Sequence, residues 1–203
     1  TKNYNRVFLA LTRVLRRDGT CPENVQKYLS ELRGESTEWP GDDVFLSAWQ
    51  TQHAYQTLQN AKLVYILRRL NDTYIDTKSE HITIDSPLTV EHILPQHWED
   101  HWPLPDGSKG LTFLELFEVE SEDPRADATR RRNALVQTIG NLTILTQALN
   151  SSVSNSAWGE KKPALLSASL LPINQQLHAV DEWNEVAIEQ RSKALFSRAV
   201  KLW

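Results

Sequence analysis

The sequence predicts an α+β fold that is predominantly helical: a helical N-terminal part, a ββα core and C-terminal helices. Three observations predict it. Apolar residues recur at helical spacing four times within the first 75 residues. Near residue 80 short alternating segments broken by Pro replace those stripes. From about residue 147 onward the spacing becomes helical again.

Residues 3–17 read as an amphipathic helix with Val7, Phe8, Leu11, Val14 and Leu15 on one face, closed by Asp18-Gly19. Residues 23–33 form a second helix, through Val25, Tyr28, Leu29 and Leu32, stopped by Gly34. Trp39-Pro40-Gly41 is a turn, and Asp42 or Asp43 caps a third helix that carries Val44, Phe45, Ala48 and Trp49. A fourth runs over about 57–74. The alternation His81-Ile82-Thr83-Ile84 predicts a strand, Ser86-Pro87 breaks it, and a second short strand follows through Thr89 to Leu94. Residues 97–110 read as an irregular loop, and Asp123-Pro124 as the start of a helix leading into Arg130, Arg131 and Arg132. Gly140-Asn141 is a turn, Leu142–Leu145 a strand, residues 147–170 loop then helix with Pro163 inside, and 184–202 a closing helix. The expected division is 1–80, a helical scaffold, and 81–203, the ββα domain, with 97–138 as an insertion in it.

The bulk numbers bound the function. With 203 residues, 40% hydrophobic, the chain can bury one sizeable core or two small ones. A net charge of -4 excludes a uniformly basic nucleic-acid coat but not a local basic groove. The single Cys21 excludes an internal disulfide and a Cys-based zinc ribbon, and agrees with a cytoplasmic setting. No apolar run approaches the roughly 18 residues of a membrane span, and no signal peptide is expected. The chain contains no Met, so it is expected to be a piece of a longer protein.

The chemistry concentrates in Thr89–Gln96 and Ile139–Asn150. A carboxylate, an imidazole and two amides in this order suggest a single-metal phosphodiesterase. Such hydrolysis needs a base, a cation for the charge of the transition state, and a group that fixes the tautomer of the base. His92 is the expected general base, since an ordinary imidazole titrates near pH 6.5. Neighbours on a regular strand face opposite ways, so Glu91 and His92 reach one ion only if the strand ends or bulges before Pro95. Asn141 would orient the His92 ring by side chain or backbone, or serve only as a turn residue. Glu91 and Asn150 are the expected oxygen ligands, with Ser154 and Asn155 in reserve, a set that selects Mg²⁺ or Mn²⁺. Asn150 could instead cap a helix. Lys161 or Lys162 would reach the scissile phosphate, and Arg130, Arg131 and Arg132 would grip the DNA backbone or form a solvated face. His92, His97 and His101 offer a competing three-histidine metal site, and Trp98 and Trp102 lie near enough in sequence to touch substrate.

The run Glu91-His92-Ile93-Leu94-Pro95-Gln96, then Gly140-Asn141-Leu142-Thr143, then Asn150 to Asn155 with trailing lysines resembles an HNH, or His-Me finger, nuclease. It resembles specifically the C-terminal nuclease domain of GmrSD-type type IV restriction enzymes, with the phosphorothioate-sensing antiviral nickases as close alternatives. Trp183, Ile188, Arg191 and Trp203 match the closing pattern of that family. The resemblance implies a divalent-metal-dependent DNA endonuclease, nicking or cutting phage or modified DNA, with His92, Asn141 and Asn150 catalytic. It also implies an N-terminal NTPase or sensor domain as partner, whose Asp-Gly-Gln-Gln-Arg-type motif is absent from this sequence, and leaves a homodimer open. The spacing of 49 residues from His92 to Asn141 exceeds that of compact HNH domains. The competing reading is a non-catalytic DNA-binding or dimer-docking module with a decayed site. An RNase shares the chemistry and differs only in substrate.

Overall fold

The computed structural model describes residues 2–34, 37–76, 83–119, 123–149 and 155–203. By compactness the chain divides into two units, Thr1–Ser47 and Ala48–Trp203. The seam expected near residue 80 falls beside 77–82, outside the described residues, and the boundary of the compact units lies earlier.

The first unit is two helices and the start of a third. Helix α1 (Lys2–Asp18) ends where Gly19 takes φ +103°, a left-handed conformation suited to glycine. The Asn24 amide donates to the Asp18 and Gly19 carbonyls left over at that end. Helix α2 (Pro22–Ser30) starts on Pro22, whose missing N–H costs nothing in the first turn, and stops short of the expected residue 33. Leu11 is buried, whereas Phe8, expected on the same inward face, is 56% exposed. Helix α3 (Asp42–Thr51) begins at the predicted acidic residues and runs into the second unit.

The second unit is mostly helical around a small sheet, so the α+β class holds. Trp49, on α3, donates its indole N–H to the Ser192 carbonyl. The expected fourth helix is α5 (Asn60–Asp72); a short unpredicted helix, α4 (Ala54–Thr57), precedes it, separated where Leu58 and Gln59 adopt extended backbone. Thr83 and Ile84 are irregular rather than strand, and His81 and Ile82 lie outside the described residues. Strand β1 (Leu88–His92) pairs antiparallel with β2 (Leu142–Thr146), Glu91 opposite Thr143 and His92 opposite Leu142. Between them lie α6 (Glu115–Glu118) and α7 (Pro124–Val136), the latter capped by the Asp123 carboxylate on the Arg125 N–H. A 3₁₀ turn (Ile139–Asn141) leads into β2. Helices α8 (Trp158–Ala168), α9 (Pro172–Gln175) and α10 (Glu185–Ala199) complete the unit, with Asn184 capping α10.

The segment 97–110 is the expected irregular loop, and it contributes side chains to the core. Trp98 is fully buried, and Trp102 and Leu104 are nearly so. They pack with Ile93, Leu94, Leu145, Leu165 and Ile188. Each fully buried aliphatic side chain of this kind contributes roughly 1.5–3 kcal/mol of transfer free energy. The indole N–H groups find polar partners, Trp98 on the Asn133 side chain and Trp102 on the Ser156 carbonyl, so neither ring is a substrate platform. No helix among the described residues is long and apolar enough to cross a membrane.

Candidate active site

His92 closes β1, and its residue is 6% exposed. Its ring lies edge-on to Tyr55 of α4, with centroids 4.3 Å apart. Its Nε2 is 3.1 Å from Oε1 of Gln137, at the C-terminal end of α7. The Gln137 amide is itself oriented, because its Nε2 donates to Oε1 of Gln96 at 3.2 Å. That leaves Gln137 Oε1 to accept, so His92 Nε2 carries the proton and Nδ1 holds the free lone pair. Burial lowers the pKa of the imidazole to about 4, against a smaller upward pull from Gln137, so the ring is neutral at pH 7.

Glu91 reaches the other way, as strand alternation requires. Its Oε1 accepts from Lys161 Nζ of α8 at 2.6 Å, and the same ammonium donates to the His92 carbonyl at 2.7 Å. Lys161 is wholly buried and the Glu91 side chain 12% exposed. Burial pushes the Glu91 pKa up and that of Lys161 down, and each charge opposes the shift of the other. Lys161 is therefore not a surface lysine waiting for a phosphate. Lys162 is also engaged, donating to the Val180 carbonyl at 2.8 Å.

Asn141 is completely buried, and its amide is spent on the polypeptide. Oδ1 accepts from the Leu94 N–H at 2.8 Å and from the Trp183 indole at 3.0 Å. Nδ2 donates to the Leu94 and Val136 carbonyls at 2.8 and 3.0 Å. The backbone carbonyl of Asn141 takes the Ile93 N–H at 2.9 Å. The Asn141 side chain thus staples the loop after β1 to the ends of α7 and the 3₁₀ turn. The residue at the His92 ring is Gln137, which corrects the expectation that the Asn141 amide orients it.

A family model described as "GmrSD restriction endonucleases, C-terminal domain" matches residues 39–198. The chain belongs to that family. No curated protein and no solved structure matches it. The family assignment ties this domain to restriction endonucleases.

Among the described residues, the remaining expected groups of this GmrSD C-terminal domain do not converge on His92. Arg130 and Arg131 are exposed, bridged to Asp127 at 3.1 Å and to Glu189 at 3.0 Å. Arg132 is buried: its Nε meets Glu185 at 2.5 Å, and its Nη1 donates to the Trp102 and Pro103 carbonyls. It braces the 102–103 backbone and cannot grip DNA. His97 and His101 are exposed while His92 is buried, so the three-histidine site is not assembled. Asn150 and Ser154 lie outside the described residues, and Asn155 is exposed.

The Mg²⁺ or Mn²⁺ expected from the sequence does not fit the described residues as they stand. The Glu91 carboxylate is already matched by an ammonium, and the described residues contain no cluster of three His, Cys, Asp or Glu side chains able to hold an ion. Sequence reasoning missed Tyr55, Gln96, Gln137 and the buried role of Lys161. Gln96 was in view, as the last residue of the motif. Tyr55 and Gln137 carry no local signal, since only the tertiary fold brings them to the ring.

Proposed function

We propose that this domain is the DNA-cutting part of a GmrSD-type restriction endonuclease, with His92 as general base. Nδ1 of the neutral ring takes a proton from a water as that water attacks a phosphodiester, the P–O bond to the leaving sugar oxygen breaks, that oxygen takes a proton from solvent water, and Gln137 pairs with the other ring nitrogen throughout. Glu91 and Lys161 form the charged pair beside it. Arg130 and Arg131, on the exposed face of α7, take flanking phosphates by exchanging their present acidic partners. The two strands and the helix that returns Lys161 to β1 are read as a ββα, or His-Me finger, unit. The substrate is phage or modified DNA, met in the cytoplasm, and the partner is an N-terminal NTP-hydrolysing sensor domain.

The observation that carries this reading is the buried imidazole paired with Gln137 at the end of β1 in a chain of a restriction-endonuclease family. The test is conversion of supercoiled plasmid to open circle or linear DNA, with Mg²⁺, with Mn²⁺ and with chelator. Cleavage in any arm that is lost in His92→Ala, with the fold retained, supports it. Equal cleavage by His92→Ala overturns it. The Lys161–Glu91 pair favours a second reading, a DNA-binding or docking module whose site no longer turns over. Salt-sensitive DNA retention with no cleavage under any condition marks that alternative.

A further inference from the structure

We propose that the ammonium of Lys161 is the built-in cation of this site. It holds, against the Glu91 carboxylate and the His92 carbonyl, the place that a hydrated divalent ion would take, and such an ion enters only when this side chain withdraws. The inference rests on reading Glu91 and His92 as the hydrolytic site.

The placement is built into α8. Lys161 and Leu165 are four apart, so they share one face of the helix, and both are wholly buried. That face packs on the sheet side of the helix: the apolar stem of Lys161 fills core space and its head arrives at the end of β1. Nζ lies 2.6 Å from one hard oxygen and 2.7 Å from another. A Mg²⁺ ion would need those oxygens at about 2.1 Å, and from the side that the ammonium takes it would overlap Nζ. The charge is also settled, since one carboxylate faces one ammonium. Adding a dication there would leave positive charge uncompensated in a buried setting, which is strongly unfavourable. The described residues supply no further acidic or imidazole cluster to offset it. A lysine meets the same oxygens as an ion would: it is a compact positive charge that neutralises the Glu91 carboxylate and donates to the His92 carbonyl.

The experiment titrates the whole chain with Mn²⁺ by calorimetry and by the electron paramagnetic resonance of the ion. Wild-type protein is expected to bind no Mn²⁺ at Glu91 up to about 1 mM, the weak end of protein sites for hard dications. Lys161→Met keeps the stem and removes the charge, so it is expected to bind Mn²⁺ about tenfold more tightly or better, as a freed carboxylate allows. Lys161→Met with Glu91→Gln is expected to lose that gain. Wild-type binding equal to that of Lys161→Met overturns the assignment, as does a Lys161→Met protein that binds no better than wild type.

If Lys161→Met does not fold, wild-type protein alone decides. Selective broadening of the Glu91 and His92 amide resonances by Mn²⁺ overturns the proposal, and their indifference to Mn²⁺ supports it. The readout is binding, not cleavage. A protein that cuts nothing yet shows this pattern retires the nuclease reading alone. One that cuts DNA and binds Mn²⁺ at Glu91 in the wild type retires the cation assignment alone.

Discussion

Replacing Asn141 by Ala strands four buried partners at once. The Leu94 N–H and the Trp183 indole lose their acceptor, and the Leu94 and Val136 carbonyls lose their donor. A buried polar group left unpaired costs about 1–3 kcal/mol. The four share one side chain and relax together, so their costs do not add in full, and the expected loss is about 3–5 kcal/mol. For a chain of this size that corresponds to a fall in melting temperature of roughly 10 °C. Asn141→Asp should do nearly as badly, because a carboxylate oxygen would then face the two carbonyls that now receive Nδ2. Urea unfolding followed by circular dichroism at pH 7 measures both variants. A loss below about 1 kcal/mol would refute the staple. Wild-type stability with abolished cleavage would instead move Asn141 into the chemistry.

Three further outcomes follow from the same structure. Arg132→Ala leaves Glu185 buried and unpaired, and should cost about 3–5 kcal/mol in the same urea assay, whereas Arg132→Met with Glu185→Leu should recover most of it. Because the folded pKa of His92 is lowered from 6.5 to about 4, the unfolded chain binds its proton first as pH falls. The contribution of His92 is therefore complete above pH 6.5 and is lost between pH 6.5 and 4, by roughly 3 kcal/mol in all. His92→Gln should flatten that part of the stability–pH curve, and an unchanged slope would contradict the burial of a neutral ring. Gly140→Ala places a Cβ 2.5 Å from the Ile188 carbonyl oxygen and 2.9 Å from Ser192 Cβ, so it should destabilise by about 1–3 kcal/mol in thermal melts.

Local signals in the sequence marked what local physics decides. Asp123-Pro124 starts α7 because the carboxylate caps and the proline needs no N–H, and both are visible in two adjacent letters. The Leu142 strand and the Glu91-His92 strand were legible for the same reason. The short α4 was not: it lies ahead of the expected start near 57, and no Pro or Gly marks its end at Leu58-Gln59. Trp98 and Trp102 sit near the motif in sequence, which suggested substrate contact, yet both are buried, and Asn133 and Ser156 satisfy their indoles from far along the chain. In the site, the imidazole and the carboxylate were legible as a pair on one strand. Their partners were not, because Lys161 lies 70 residues from Glu91 and lysines are rarely buried. Asn141 was found for its position in the motif, but its work is bracing the loop rather than turning the ring.

The clamp on the 139–142 turn has a consequence for the order of assembly. Trp183 bonds Asn141, Arg191 donates to the carbonyls of Gly140 and Leu142, and Ile188 and Ser192 close over Gly140. During translation both strands of the hairpin leave the ribosome well before these residues do. A nascent chain therefore carries the Glu91-His92 strand without the groups that lock its neighbour in place, and the corner around His92 reaches its final geometry only when α10 docks.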